Sequence, residues 1–598
     1  MEELRIFLCS LEKLYKGRYV AFSELEDFRL LNTPEFLRDK NLRRMKRRAL
    51  FEMNFEKYCL CRKIEFFLNH REKLNHEFIA TMQKKSFEIE GNRLDAEQIA
   101  AVVVDEDAEL ILASAGSGKS ASLLAKVNYI VRDLKVPAEE VLVIAFTRKV
   151  VKELKERMKG SGVEICTFHS FGNKIIKNTK VGKELKLVPD GFLEEVVEKT
   201  LASWVRNGSL GLEIVKEFGD LEGMRKLLMA TLQLQKNEQI SLKEFKVRIE
   251  GMKGEKERER AREFFKYYAR MVRIYGKILR DNRLYDFSDM LSWATRIIEK
   301  MPKGRLKYKY VLVDEVQDLS LSKSLLLKAI LDNCDGVKLF AVGDDWQSIY
   351  RFAGSNLGVL KDFEKNFGRW TYRGVISRTY RFGQPTAWVS ENFVRKNKEQ
   401  SKKKVQTFKK TKTPIEIVLS DGDKKTPADY TAVDECLRGL YKKMGEELFS
   451  KSVQVIGRYN RDVYRLVGSG GAFKNARIVE EKEDGIRMEW RVEGALKSLE
   501  VAFCSMHKSK GITRDIVLVV NMNSGEKGMP STRADEPILA TMLAKPDKFP
   551  LAEERRLFYV AITRAKEKTI VVSEKNKISP FVREIAKNLG GDVAEMLG

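Results

Sequence analysis

The chain has 598 residues and carries 111 Lys and Arg against 86 Asp and Glu, a formal net charge of +25. That excess favours a polyanionic partner, most simply nucleic acid. No apolar run approaches a membrane span, Met1-Glu2-Glu3 opens no signal peptide, and the seven scattered cysteines complete neither a zinc pattern nor a disulfide framework. A cytoplasmic protein of several domains, with no membrane partner, is expected.

Residues 1–90 read as helical, because Leu4, Leu8, Leu11 and Leu14 recur at three- and four-residue spacing. Lys40 to Arg48 holds six basic residues, which suits a DNA-contacting helix or a solvated helix face. From Leu94 strands and helices alternate, the signature of an α/β fold with a parallel sheet. Glu109–Leu112 reads as a short buried strand, and a helix follows from Ser120. Between them lies Ala113-Ser114-Ala115-Gly116-Ser117-Gly118-Lys119-Ser120. Strand, small-residue loop, Lys-Ser and helix form the context of a phosphate-binding P-loop, although Ala113 stands where the strict pattern has Gly. Backbone N–H groups of such a loop cradle phosphates. Lys119 would reach the β- and γ-phosphates of ATP, and the Ser120 hydroxyl would hold Mg²⁺.

Val141–Ala145 and Glu164–Thr167 are further strand candidates. Residues 173–285 read as a charged helical insertion, with Phe264, Tyr268, Met271 and Tyr275 on one stripe. Strands at Tyr310–Val313 and Lys338–Val342 then complete a first sheet. Asp314, at the end of one of them, would bind Mg²⁺; Glu315 would orient and deprotonate the attacking water. Gln347, just past the other, suits a γ-phosphate sensor. Tyr350 and Phe352 could stack on bases or pack in a core.

A second α/β unit follows. Its strand candidates are 374–377, 415–419, 453–456, 501–504, 516–520 and 569–572. Between Arg395 and Lys412 lie nine basic residues against one acid, which fits a DNA-facing loop and a surface loop equally. Arg381 and Arg564 are candidates for arginine fingers that reach across a cleft.

The ordered set of motifs resembles the UvrD/Rep-type superfamily 1 helicases, with wording closest to the helicase IV branch. The segments that carry this are Val342-Gly-Asp-Asp-Trp-Gln-Ser-Ile-Tyr-Arg-Phe352, Arg378-Thr-Tyr-Arg-Phe382, Glu553-Glu-Arg-Arg-Leu-Phe-Tyr-Val-Ala-Ile-Thr-Arg-Ala565 and Ser579-Pro-Phe-Val-Arg-Glu584. The resemblance covers about residue 75 to the end. It implies an α/β fold of two RecA-like P-loop motor domains. The first would take 91–172 and 286–365, interrupted by the helical insertion 173–285. The second would take 366–598, with a minimal insert at 461–498 where UvrD and Rep carry a large regulatory domain. Residues 1–90 would be a helical accessory region.

The resemblance also implies roles. Gln98 matches the adenine-reading Gln, and Tyr380 the residue that stacks on adenine. Phe146, Thr147, Thr167 and His169 match single-strand DNA contacts. His507 and Lys510-Gly511 match the motif that couples DNA to nucleotide, with Gly511 on the ATP side. Asp286 and Asp289 match a helical motif before the Asp314 strand. Three positions depart from the pattern: Ser120 replaces the usual Thr and keeps its hydroxyl, Ala121 replaces an Arg near the adenine, and Thr513 replaces a Glu beside the ribose. The expected activity is an ATP- and Mg²⁺-dependent, single-stranded-DNA-stimulated helicase, 3′→5′ by family, in repair, replication or recombination. Its substrates would be single strands and single/double-strand junctions. Repair proteins or RNA polymerase are candidate partners. A HelD-type remodeller of RNA polymerase, whose arm would be the N-terminal helices, is the alternative; a non-hydrolysing DNA scaffold is the third reading. The minimal insert implies a motor without autoinhibition by that domain.

Overall fold

The computed structural model describes residues 1–32, 39–421, 428–467, 476–482, 485–492, 497–543 and 547–590. Two large sheets organise it. The first has six strands in the order Thr371–Ile376, Ala108–Ala113, Lys338–Gly343, Tyr310–Val313, Val141–Ala145, Glu164–Thr167. Every neighbouring pair is parallel. Tyr310–Val313 and Val141–Ala145 are buried throughout, as strands covered on both faces must be. The second sheet has seven strands, in the order Ile415–Ser420, Ala565–Glu574, Arg514–Val519, Val453–Gly457, Leu499–Ser505, Gly485–Trp490, Ala476–Lys482. The last two form an antiparallel hairpin on an otherwise parallel sheet. That hairpin falls in the stretch 461–498, of which 468–475, 483–484 and 493–496 lie outside the described residues.

One strand departs from the sequence reading. Residues 374–377 were expected in the second unit, yet Thr371–Ile376 forms the edge of the first sheet, beside Ala108–Ala113, with Val375 opposite Leu112. An apolar run specifies a strand and not the sheet it joins. The consequence is local. The residues after this strand are delivered to the loop after Ala113: Ser114 N–H donates to Ile376 O at 2.9 Å, and Tyr380 N–H donates to Gly116 O at 2.9 Å.

Five helices span Glu2–Tyr15, Phe22–Asn32, Asp39–Phe51, Phe55–Asn69 and Arg71–Gln83. The first four share a small core that includes Leu4, Leu11, Leu25, Leu42 and Ile64, whereas Ile79 and Met82 of the fifth are buried with the core of the first sheet. The bundle docks on the N-terminal ends of the first sheet's strands, opposite the P-loop. Glu106 is the anchor. Its fully buried carboxylate accepts from Tyr19 Oη (3.1 Å), Phe22 N–H (2.6 Å) and the Arg71 guanidinium. Lys338 adds ion pairs to Glu24 at 2.7 Å and Asp105 at 2.8 Å. In the basic helix, Arg43, Arg44 and Arg47 face solvent.

The region 173–285 is built of helices, apart from Lys186–Leu187, which pairs with Leu284–Tyr285. Its longest helix, Glu255–Asp281, buries Phe264, Tyr268, Met271 and Tyr275 as the stripe predicts. Lys236 Nζ bridges Asp286 (2.5 Å) and Asp289 (2.8 Å), which fastens this insertion to the first unit. A second tie comes from the far end of the chain. After Arg514–Val519 the backbone runs out to the insertion, where Ile538 and Met542 are buried with Trp204, Phe245 and Tyr268. Arg260 pairs with Glu536 at 2.5 Å, and Arg248 Nη1 donates to Thr541 O at 2.9 Å.

Glu106→Ala leaves Arg71 and Tyr19 buried without their acceptor, a loss of about 3–5 kcal/mol for a broken buried pair. Urea unfolding should show the drop, whereas Arg5→Ala, at the exposed pair with Glu56, should leave the midpoint unchanged.

Candidate active site

The strand Ala108–Ala113 is buried but for the half-buried Leu112, and the helix Lys119–Asn128 begins after a five-residue loop. The loop between them turns through Gly116 (φ +73°) and Gly118 (φ +79°), left-handed conformations that suit glycine. Both also lack room for a side chain. A Cβ at Gly116 would lie 2.5 Å from Arg381 Cβ, and one at Gly118 would lie 2.7 Å from Gln98 Nε2. Ser114 Oγ and Ser117 Oγ are buried with no hydrogen-bond partner. Orphaned hydroxyls and a turned-in backbone beside a helix N-terminus suit a phosphate chain. Ala113 and Ala115 are buried and serve by smallness.

Facing the loop is the acidic pair. Asp314 ends its strand, 5% exposed, and Glu315 takes φ +50°. Burial, then the neighbouring Glu315, raises the Asp314 pKa. Burial also works against the Glu315 carboxylate, but Lys119 and Lys510 outweigh it and hold Glu315 low. Lys119 Nζ lies 3.6 Å from Glu315 Oε1, and Lys510 Nζ lies 4.0 Å from Glu315 Oε2. Ser120 sits in the first turn of its helix. The described residues contain no cluster of three or more His, Cys, Asp or Glu fit to hold a metal ion alone. The Ser120 hydroxyl and Asp314 are therefore a partial set, suited to Mg²⁺ that arrives with phosphate ligands.

The second unit brings its arginines to the same place. Arg564 is 1% exposed; its Nη2 donates to Gln347 Oε1 at 3.1 Å and its Nε to Val560 O at 2.7 Å. Arg381 Nη1 donates to Thr563 O at 3.0 Å. Burial, then Arg564, pushes the Arg381 pKa down to about 9, and burial pushes Arg564 down to about 10. These are cations short of negative charge, which a triphosphate would supply.

Beside the loop is a cavity of about 760 Å³ lined by Gln98, Ala121, Arg93, Arg378, Tyr380 and Phe408. Asp95 and Gln98 form a capping box, and the spare Gln98 N–H donates to Ser117 O at 3.0 Å. Tyr380 Oη donates to Asp95 at 2.8 Å, and its ring lies 5.2 Å from that of Phe408. The Gln98–Tyr380 pair is thus brought together where a base would sit. Arg93 and Arg378 line the cavity that Ala121 leaves without an arginine.

The predicted strand contacts form a row. Phe146 stacks on Tyr350 (6.3 Å, 10°), Tyr350 meets Phe352 at 6.1 Å, and Phe352 meets His507 edge-on at 5.2 Å. Phe352 is 56% exposed, so its core reading is excluded. Lys323 lies 3.8 Å over Phe146 and Lys510 5.1 Å over Tyr350. Thr147 and Thr167 accept from Val150 N–H (3.2 Å) and Ser170 N–H (3.1 Å). Each of these bonds caps a helix and uses one lone pair of the hydroxyl. His169 packs against Phe287. Burial, helped by nearby cations, lowers His169 and His507 to about 4. Gly511 (φ +83°) and Thr513 line a separate cavity with Thr147 and Lys149, apart from the base pocket.

Phe408 and Lys403 carried no signal of their own, whereas Lys510 belongs to the motif that the resemblance assigns to coupling. Phe408 walls the base cavity. Lys510 Nζ, paired with Asp318, donates to Gln347 O at 2.9 Å. Lys403, from the basic run 395–412, is fully buried against Asp344 and Asp345 rather than facing DNA or solvent.

Comparison with known proteins agrees with this geometry. The UvrD/REP helicase N-terminal domain family matches residues 94–368, and the UvrD-like helicase C-terminal domain family matches 482–576. DNA helicase IV of Escherichia coli (strain K12) is 29% identical over 560 residues, covering 88% of this chain and 75% of that protein. A probable DNA helicase II homolog of Mycoplasma capricolum is 26% identical, covering 58% of this chain and 47% of its own length. ATP-dependent DNA helicase UvrD1 of Mycobacterium tuberculosis is 27% identical, over 52% of this chain and 41% of its own. The chain therefore spans three quarters of the first relative and less than half of the other two. With both halves of the family matched in order around one P-loop cleft, the chain belongs to the UvrD-like helicases.

Proposed function

We propose that the chain is an ATP-dependent DNA helicase, a translocase that single-stranded DNA stimulates and that moves 3′→5′. The observation that carries it is the meeting of units at the cleft. Arg564 of the second unit holds Gln347 of the first at 3.1 Å, and Tyr380 and Thr379 hydrogen-bond to the P-loop carbonyls. Lys119, Ser114 and Ser117 bind the phosphates of ATP. Ser120 and Asp314 hold Mg²⁺, which would neutralise phosphate charge and fix its geometry. Glu315, kept ionised by Lys119 and Lys510, is the base that takes a proton from the attacking water. Arg381 and Arg564 lie against the charge that develops on the transferred phosphoryl group.

Single-stranded DNA runs along the row Phe146, Tyr350, Phe352 and His507, with bases on the rings at roughly 1–3 kcal/mol each. Lys510 touches both halves: its Nζ faces Tyr350 in the groove and reaches Asp318 and Gln347 at the cleft. Strand binding and hydrolysis are coupled through that side chain. The chain's net charge of +25 makes strand binding steeply salt-dependent. The minimal insert at 461–498 leaves no autoinhibitory domain in the motor. Among the described residues no helix is long and apolar enough to cross a membrane.

ATP hydrolysis with and without single-stranded DNA tests this reading, with Lys119→Ala as control. Strong stimulation that vanishes in the variant is expected; activity indifferent to DNA would instead point to a protein substrate such as a polymerase. The pH dependence gives a second check. With pKa values lowered to about 4, His169 and His507 are neutral until pH falls through that value. DNA affinity, read by fluorescence anisotropy, should stay flat between about pH 8 and pH 6. A rise in affinity on acidification would make them cationic phosphate contacts.

A further inference from the structure

Lys403 belongs to the second unit by its backbone. It precedes Gln406–Thr407, which pairs with Arg378–Thr379, and Val405 packs with Phe382, Val389 and Phe393. Its ammonium, however, enters the first unit. Nζ is fully buried and pairs with Asp344 Oδ1, with Asp345 Oδ1 at 2.9 Å, and donates to Ala113 O at 3.3 Å. The Trp346 ring lies 4.5 Å away. Three acceptors use the three N–H donors of the ammonium. Burial alone would lower the Lys403 pKa, but Asp344 and Asp345 raise it. Ala113 ends the strand that enters the P-loop, and Asp344–Asp345 open the turn that carries Gln347.

The chemistry of Asp344 sets the next bond. Its Oδ2 accepts from Gln347 Nε2 at 2.6 Å. A carboxylate only accepts, so the Gln347 amide must turn its NH₂ toward Asp344 and its Oε1 toward Arg564 Nη2. The same aspartate donates its backbone N–H to Gln317 Oε1 at 2.9 Å, and Gln317 Nε2 donates to Glu315. Orientation thus runs from Asp344 to the arginine on one side and to the base on the other. A fully buried carboxylate needs a counter-charge, and Lys403 is the cation against it. With the counter-charge removed, nothing would hold the Asp344 carboxylate against the Gln347 NH₂, and the amide would be free to turn over. Two donors, the Gln347 NH₂ and the Arg564 guanidinium, would then face each other.

We propose that Lys403 is a positioning residue for ATP hydrolysis: it holds Asp344 as an acceptor and so sets the Gln347 amide that meets Arg564. The proposal rests on the reading of the cleft as an ATPase site. It requires no contact between Lys403 and nucleotide, so binding and turnover should separate.

The test uses the full-length chain with Lys403→Met and with the double variant Asp344→Asn/Lys403→Met. The double variant removes Lys403 together with Asp344 and leaves Asp345 its bonds from Ser401, which keeps a folded protein available if the single one unfolds. Its asparagine presents an NH₂ as readily as an oxygen and no longer dictates the amide. An N-methylanthraniloyl ATP analogue reads binding, and DNA-stimulated turnover reads kcat and KM. The double variant should bind the analogue within about threefold of wild type with KM similarly unchanged, while kcat falls roughly 100-fold, the scale of a lost oriented contact. Wild-type kcat in the double variant would overturn the proposal. Loss of binding in parallel with kcat would overturn it too, because that marks a structural role. A wild-type chain with no ATPase activity would instead bring down the reading of the cleft itself.

Discussion

The structure depends on a charge imbalance in the cleft between its two sheets. Arg564 is buried there and Arg381 half-buried, and among the described residues their hydrogen bonds go to carbonyls, a hydroxyl and an amide, with no carboxylate. Lys119 faces them across the P-loop with Glu315 3.6 Å away. Buried charge is costly unless it is paired. The protein leaves this pairing incomplete, and phosphate is the group whose charge and shape fit it. A site assembled this way draws on both units, which already meet at Arg564 and Gln347, and a bound triphosphate would supply the missing negative charge.

The topology serves that constraint. Thr371–Ile376 adds an edge to the first sheet and then hands the chain straight to Thr379, Tyr380 and Arg381. The second unit therefore begins at the nucleotide rather than at a remote linker. The N-terminal bundle sits at the opposite end of the same strands, on Glu106 and Asp105, where it braces the sheet without blocking the cleft. The excursion through Ile538 and Met542 ties the second unit to the helical insertion, which Lys236 also fastens to Asp286 and Asp289.

Much of this was legible in the sequence, for a physical reason. The P-loop, the Asp314-Glu315 pair and the Gln347 turn each do their chemistry with contiguous residues, so local order carries the signal. The stripe of Glu255–Asp281 and five of the seven strands of the second sheet were legible because their apolar pattern follows from burial, whereas the hairpin Ala476–Lys482 and Gly485–Trp490 was not. Partner choice was not. Residues 374–376 announce a strand, but pairing with Ala108–Ala113 is a long-range fact. Lys403 sits among eight other basic residues of its run and looks like them, although it is the one closed inside the fold. Ile538 and Met542 are two apolar side chains in a polar stretch, too few to declare an anchor. The capping role of Thr147 and Thr167 was not read from the sequence either; their hydroxyls accept from Val150 and Ser170 N–H at helix starts, beside the strand-contact role that the resemblance implies.

The central claim is that one nucleotide is held by the first unit and activated by the second. Measuring nucleotide binding and single-turnover hydrolysis on the same Arg381→Ala protein tests it most directly. The account predicts that the Mg²⁺–ATP complex still binds, through Lys119 and the P-loop, while hydrolysis falls by roughly a thousandfold or more, as for loss of an arginine finger. Hydrolysis at the wild-type rate, with the second unit's arginine gone, would contradict it.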